Sequence, residues 1–568
     1  MVTEIIQASV YIVIHLALGY GWFSFWQGRG KSAVDSLLAS LLTVLAQTIA
    51  GVFLLGLLGL FSTLTIWLWQ IIVMAGVCWI SRKQLLVSWR LILGRSWYDY
   101  LFLVLLTTVS LATLILSFRS ADVSFDSLNY HLPWAAYLLQ EGRLDYFQTL
   151  IPWINVYPKA IEAWQAWHLA LWHNQSLLQV TNLIFWFLGF GTVYALAREF
   201  GISRFISLLA AITYAVIPLN ILQLRTNYID LALSSLVLLL LYWSVKKFDE
   251  SWWLWSITAG ILIGSKATMV ILVALALVVK VVSGWTRPYK WPWYVLTIAG
   301  FGSYFYARNW WASGTPIYPI GPKLISLDQL LSGSQAAILK GKPMWEQLWI
   351  NFTSVYGHYS YQMNPGGFGW LWLLILLPAL IIFLFWGWRQ RQFRLMTVVL
   401  ALVIGFLLMP ANWWLRYGLF VVAAGSLSLA YILATLPHHW RWVSCGIVVL
   451  FIIHSCLITG FSWQRTELTR YYPEFGSLAA VQQAGSVIAY DSRLQLPFVL
   501  WNHDLSNRVV FVSSADKSYD QWMAGLRAAK VQYIVTKYPS LELQQIDSHK
   551  ANFELLASQG EVKVWAVK

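Results

Sequence analysis

Charge is scarce in this chain. Asp, Glu, Lys and Arg make up 11% of it, against 59% hydrophobic residues. That balance excludes a soluble globular protein, where about a quarter of residues carry charge. Cysteine is nearly absent too. Cys78, Cys445 and Cys456 all fall inside apolar segments, which excludes a disulfide framework and zinc-ligand spacing. The sequence shows no internal repeat and no low-complexity tract, and its polar C-terminal region has no glycine-rich loop to cradle phosphate. Acids number 24 against 38 Lys and Arg, a formal charge of +14. The bases sit in short loops between apolar segments and not in a stripe or tail, so the balance does not point to nucleic acid.

What fills the chain is apolar sequence in lengths that span a bilayer as helix, for which about 20 residues suffice. Spans are expected at 5–26, 35–55, 60–80, 98–117, 179–197, 204–219, 229–246, 252–264, 267–284, 291–307, 368–387, 395–409, 416–435 and 442–461. The expected fold is therefore an α-helical polytopic membrane protein of about 13–14 transmembrane helices. The 36 tryptophans, many near segment ends, suit the headgroup region. The N-terminus lacks a basic n-region, so the first stretch reads as a retained span and not a signal peptide.

Alternate loops are basic. One set carries Arg29 and Lys31; Arg82, Lys83, Arg90 and Arg95; Arg198 and Arg204; Lys246 and Lys247; Lys280, Arg287 and Lys290; Arg389, Arg391 and Arg394; and Arg441. The positive-inside rule makes that set cytoplasmic. The opposite, external face then holds long loops at 118–178 and 308–367. Stretches 128–140 and 158–173 read as amphipathic helices on the membrane surface. Domain organisation follows: a membrane domain over 1–465 and an external α/β domain over 466–568. In the latter, β-rich runs at 486–492, 508–513, 531–537 and 562–567 are separated by helix-like stretches at 473–485, 518–530 and 546–558.

On so apolar a chain, ionisable groups on the external side at the membrane surface stand out: Asp122, Asp126, His131, Lys159, Glu162, Arg225, Asp230, Lys266, Arg308, His358 and Arg416. A carboxylate can deprotonate a hydroxyl. Lys and Arg can hold phosphate oxygens of a leaving group. The pattern suits general-base chemistry on an anionic, lipid-linked substrate. Bland readings exist for each: Asp126 or Asp230 as a helix cap, Lys159 paired with Glu162 at i,i+3, Arg225 as the ion-pair partner of Asp230.

The segment Asp126-Ser127-Leu128-Asn129-Tyr130 resembles the acidic motif, Asp-Glu-x-x-Tyr, in the first external loop of the GT-C superfamily of membrane glycosyltransferases. Protein O-mannosyltransferases and aminoarabinose lipid A transferases are members. Asp126 and Tyr130 match; Ser127 replaces the second acid, whose part falls to Asp122 or His131. Tyr157-Pro158-Lys159-Ala160-Ile161-Glu162, Asn227-Tyr228-Ile229-Asp230-Leu231, Gly264-Ser265-Lys266, Arg308-Asn309 with Gly314-Thr315-Pro316-Ile317-Tyr318-Pro319, and Arg416-Tyr417 are similar to further motifs, in the same order. The similarity covers roughly 95–420.

The resemblance implies an inverting transfer of sugar from a polyprenyl-phosphate donor to a lipid, glycan or protein hydroxyl on the periplasmic face of a bacterial cytoplasmic membrane. Asp126 would be the base and Asp230 a second catalytic acid. Asp122, Tyr130, His131, Lys159, Glu162, Lys266, Arg308, Arg416 and Tyr417 would line the substrate site. It leaves open a divalent ion, Mg²⁺ or Mn²⁺, between Asp126, Asp230 and phosphate. The rival classes are a transporter or flippase of lipid-linked saccharides, and a non-catalytic envelope-assembly protein. Transporters place ionisable sites near the bilayer midplane and carry inverted repeats; here the charges cluster at span ends.

Overall fold

A computed structural model describes residues 2–82, 96–247, 250–284, 290–317, 339–357, 359, 366–460, 467–481 and 485–568. Lys83, Arg90, Arg95 and Arg287 of the basic loops, Tyr318-Pro319, His358 and most of the loop around it up to 366 lie outside the described residues, as does the boundary at 465/466.

Each expected span carries a helix. Among the described residues six helices are long and apolar enough to cross a membrane, and seven shorter apolar ones accompany them. The chain is a multi-pass membrane protein. Its centre is the helix Asp230–Val245, buried at every residue, as a helix apolar all round must be. The helices Leu183–Glu199, Ser251–Ile263 and Met269–Val282 pack around it. Buried in protein, the central helix need not match the hydrocarbon thickness by itself.

Charge separates to the two ends of this central helix. Lys246, just past its last turn, pairs with Asp35 at 3.2 Å and Glu199 at 3.1 Å. Arg394 also reaches Glu199, and Lys31 pairs with Glu250 at 2.7 Å. Asp230 opens the other end, roughly 24 Å away at 1.5 Å per residue. The sequence expectation of basic loops at one end and candidate acids at the other therefore matches the bundle.

Two expected surface helices are core elements instead. Region 128–140 is a π-turn, Ser127–His131, running into a helix, Leu132–Glu141. Region 158–173 forms the helix Ala160–Trp172, buried from Ala160 through Leu171. Its polar residues do not face solvent because Ala33–Leu57, Thr63–Ser81 and Leu132–Glu141 all pack on it. Many tryptophans go the same way: Trp134, Trp164, Trp167, Trp186, Trp243 and Trp372 are among the largest fully buried side chains.

The C-terminal unit is a five-stranded sheet of β1 Val487–Tyr490, β2 Arg508–Phe511, β3 Tyr533–Lys537, β4 Phe553–Gln559 and β5 Val562–Val567, in the order β2-β1-β3-β5-β4. β1 runs parallel to β2 and β3, with Ile488 opposite Val509 and Tyr533. β5 runs antiparallel to both β3 and β4. The stretch 546–558 is not one helix. A helix ends at Ser548 and β4 follows, paired with β5 through a turn at Gly560, whose φ of +56° suits glycine. Glu, Leu and Ala in β4 carry little β-propensity, so cross-strand pairing decides it.

This unit grips the helix Leu132–Glu141. The Gln140 side-chain amide behaves like a strand residue at the edge of β2: Oε1 accepts the Val509 N–H at 2.9 Å, and Nε2 donates to the Val509 carbonyl at 3.1 Å. At the other end, Asn129 Nδ2 donates to the Gln495 carbonyl at 2.5 Å. In between, Tyr137 and Thr149 both meet the Tyr490 hydroxyl. Gln140→Ala should weaken this docking by about 1–2 kcal/mol, the worth of polar groups left unpaired. Limited proteolysis of the detergent-solubilised protein should release the C-terminal unit faster than in wild type.

Candidate active site

Four chain segments bring charge together at the Asp230 end of the bundle. Asp126 sits just before the π-turn, a helical irregularity often found at functional sites. Asp230 is the first residue of the central helix, where the helix dipole favours a carboxylate. Lys266 lies in the break between Ser251–Ile263 and Met269–Val282. Gly264 fixes that break: a Cβ there would overlap the Phe301 carbonyl oxygen. The Gly264 carbonyl also accepts the Ala160 N–H at 2.8 Å, tying the break to the helix behind Lys159. Arg416 occupies the turn Leu415–Gly418, pressed onto Phe406 at Gly418, where a Cβ has no room.

The four form an alternating row. Arg416 donates to Asp126 at 2.6 Å and pairs with Asp230 at 3.6 Å; Lys266 pairs with Asp230 at 3.5 Å. Side-chain exposure is 4% for Asp230, 11% for Arg416, 19% for Asp126 and 25% for Lys266. The row is thus mostly desolvated yet open at its edge. Aromatic rings frame the cations: Lys266 lies 3.4 Å from the Tyr417 ring centroid, and Arg416 4.4 Å from that of Tyr228. Burial pushes the Asp126 carboxyl up, but Arg416, His131 and Lys266 outweigh it and hold it below the usual carboxylate range. Burial opposes the Arg416 charge, yet Tyr417, Asp126 and Asp230 push its proton affinity well above the ordinary guanidinium value.

A second, fully buried cluster lies behind the row. Glu162 Oε1 accepts from His131 Nδ1 at 2.8 Å and from Lys159 at 3.3 Å. Lys159 also lies 5.0 Å from the Tyr130 ring centroid. Lys159 is 0% exposed and is paired with Glu162, so the structure does not bring it to the row as a phosphate ligand. Glu162, equally buried, is likewise a partner for His131 and Lys159 and not a substrate ligand.

Three further expectations change. Asp122 is taken up by the protein: one oxygen accepts from Ser124, the other from the Asn227 backbone at 2.8 Å and side chain at 2.9 Å. It staples the Asp126 segment to the turn before Asp230. Ser127 Oγ accepts the same Asn227 N–H at 3.0 Å, so the position of the motif's second acid serves that staple. Arg308 turns away from the row. It donates to the Asp145 and Asn155 carbonyls and lies 4.3 Å from the Tyr146 ring centroid. Asp230 pairs with Arg416 and Lys266, not with Arg225. Sequence reading missed Tyr228 as a site residue, although it stands two positions before Asp230. Its hydroxyl accepts the Asp126 N–H at 3.3 Å, and its ring carries Arg416.

The row does not fit a divalent ion. Arg416 fills the position between Asp126 and Asp230 that a bridging cation would need, and Lys266 takes the other oxygen of Asp230. Among the described residues no three His, Cys, Asp or Glu converge as ligands.

No family model and no curated protein matches this chain. Among solved structures it is similar to ArnT from Cupriavidus metallidurans in the apo state, with a TM-score of 0.54 at 13% identity over 83% of this chain and 98% of that one. The same protein bound to undecaprenyl phosphate gives a TM-score of 0.49 at 13% identity and the same coverage. The arabinofuranosyltransferase AftD from Mycobacteria gives 0.43 at 15% identity, over 82% of this chain and 40% of that one. The chain has the fold of ArnT, in keeping with the fold that the resemblance implied.

Proposed function

We propose that this protein is a glycosyltransferase that moves a sugar from a polyprenyl-phosphate donor to an acceptor hydroxyl. The row Asp126–Arg416–Asp230–Lys266 carries the reading. Two carboxylates neutralise two cations in the resting protein. A donor phosphate competes for Arg416 and Lys266, the two partly exposed bases. A guanidinium matches phosphate oxygens through two parallel N–H groups. Once Arg416 turns to phosphate, Asp126 loses its strongest partner and becomes a better base. Asp230, anchored by the helix terminus, keeps the cations in place.

The acceptor oxygen then forms its bond to the anomeric carbon while the carbon–phosphate oxygen bond breaks. The proton passes to Asp126, and the electron pair leaves on the phosphate, held by Arg416 and Lys266. Attack from the face opposite the leaving group inverts the anomeric centre. The basic loops at the other end of the bundle support a site on the external, periplasmic side of a bacterial cytoplasmic membrane. The site lies at a bundle end and not at mid-depth, which favours an enzyme over a transporter.

The test is transfer by the full-length protein in liposomes, using a panel of undecaprenyl-phosphate sugars and an extract of envelope glycolipids and glycans as acceptor. Release of undecaprenyl phosphate that depends on both protein and acceptor is expected. Envelope glycans from cells with and without the protein should differ by one sugar. If no donor is consumed and the glycans are identical, the reading is wrong.

A further inference from the structure

A cavity of about 300 Å³ lies between the membrane domain and the C-terminal unit. Asp126, Arg416, Asp230 and Lys266 do not line it, and the transfer chemistry above makes no use of it. One wall is the end of the helix Trp97–Arg119 with the residues that follow, as far as Asp122. Leu178 and Gln179 form a second, and Leu478, Phe498 and Leu500 of the C-terminal unit a third. Leu128 and Leu132, on the segment that carries Asp126, close it.

The lining has an apolar body and two polar groups that lack partners. Leucine, phenylalanine and valine side chains suit an apolar ligand. The Arg119 side chain is exposed, and among the described residues its guanidinium has no ion pair or hydrogen bond. The carboxylate in the wall, Asp122, does not answer it, since Ser124 and Asn227 engage its two oxygens. Gln179 is 3% exposed. Its Nε2 donates to the Ser120 carbonyl at 2.6 Å, while its Oε1 has no partner among the described residues. A buried acceptor left in that state is costly, and a hydroxyl in the cavity would relieve it.

The helix Trp97–Arg119 stands at the edge of the bundle. Val104, Leu111 and Ile115 along it are exposed, and on a membrane helix such residues meet acyl chains. A lipid lying against that helix reaches its last turn, where Arg119 meets the cavity.

We propose that the cavity binds an anionic phospholipid whose headgroup carries a hydroxyl. An acyl chain lies among Leu128, Leu132 and Leu478, the phosphate meets Arg119, and the hydroxyl donates to Gln179 Oε1. A guanidinium is well matched to phosphate oxygens. A volume of about 300 Å³ is at the lower limit of small-molecule sites. It has room for one chain, and too little for the sugars and several chains of a glycolipid. This lipid is not the donor, whose phosphate meets Arg416 and Lys266 in the reading above. It fills the space behind Leu128 and Leu132 and braces the Asp126 segment against the C-terminal unit. The assignment is independent of sugar transfer and holds even where that reading fails.

The test titrates the full-length protein in detergent with phosphatidylglycerol and with phosphatidylcholine, read by native mass spectrometry and by melting. Phosphatidylglycerol should bind saturably as one tight lipid and raise the melting temperature, as a ligand of the folded state does. Phosphatidylcholine, which has no net charge and no headgroup hydroxyl, should bind about fivefold or more weakly. Arg119→Gln should lower the affinity for phosphatidylglycerol about 5- to 10-fold and leave phosphatidylcholine unchanged. Leu478→Trp, which fills the cavity, should remove the tight lipid altogether. Arg119→Gln alters an exposed side chain, so it keeps the test alive if Leu478→Trp does not fold. Equal binding of the two lipids, or phosphatidylglycerol binding that Arg119→Gln leaves intact, overturns the proposal and makes Arg119 an interfacial anchor only. A phosphorylated envelope glycolipid that displaces phosphatidylglycerol and binds more tightly also overturns it, and assigns the cavity to an acceptor.

Discussion

Asp126→Asn should abolish sugar transfer while leaving the protein folded and able to bind undecaprenyl phosphate. Loss of a general base costs about 10²- to 10⁴-fold in rate. The fold should survive because Asn preserves the shape and still accepts a hydrogen bond from Arg416 through its amide oxygen. Arg416 also keeps Asp230 as counter-ion, at 3.6 Å. The Asp126 backbone N–H stays bonded to the Tyr228 hydroxyl, and the Asp122–Asn227 staple is untouched. Binding of lipid phosphate should even strengthen, since phosphate no longer competes with the Asp126 carboxylate for Arg416. The discriminating result is therefore a split: kcat down by two to four orders of magnitude, affinity for undecaprenyl phosphate equal or higher. Transfer at the wild-type rate would remove Asp126 from the base role. A variant that loses binding and activity together would mean that Asp126 is a structural partner of Arg416.

The sequence shows the spans, the alternation of basic loops and the residues of the row, because each depends on local composition. A run of apolar residues is a span wherever it packs. An acid or base at a span end is costly unless it has a partner or a task. What the sequence does not show is which cation meets which anion. Asp230 has Arg225 five residues away, yet its partners are Lys266 and Arg416 from distant turns. Lys159 and Glu162 look like an ordinary i,i+3 pair, and only packing from three other helices makes them a buried cluster behind the row. The π-turn is equally invisible, since one extra residue in a helical turn leaves no mark on composition. β4 was hidden for a related reason: its leucines and glutamate suit a helix, and pairing with β5 overrides them.

Arg416→Ala should be the most damaging single change to both stability and donor binding. Arg416 is shared by two carboxylates, one 4% and the other 19% exposed. Removing it leaves Asp230 with Lys266 alone and Asp126 with no contact ion pair. Stranding a buried charge costs about 3–5 kcal/mol; the partial exposure of Asp126 and the remaining Lys266 place the expected loss near the lower end. The pH dependence follows from the direction of the Asp126 shift. Its folded value lies below the unfolded one, so its contribution is present above the ordinary carboxylate range and is lost as pH falls through the depressed folded value. Without Arg416 burial acts with less opposition, and acid unfolding should begin at higher pH than in wild type. Arg416→Lys separates charge from shape. It restores a cation between the carboxylates and should recover most of the stability, but a single ammonium cannot offer two parallel N–H groups to phosphate. Its affinity for undecaprenyl phosphate should stay about tenfold or more below wild type, measured by titration in detergent, with melting in the same buffer. If Arg416→Lys binds lipid phosphate as tightly as wild type, Arg416 is a structural ion and the phosphate is gripped elsewhere.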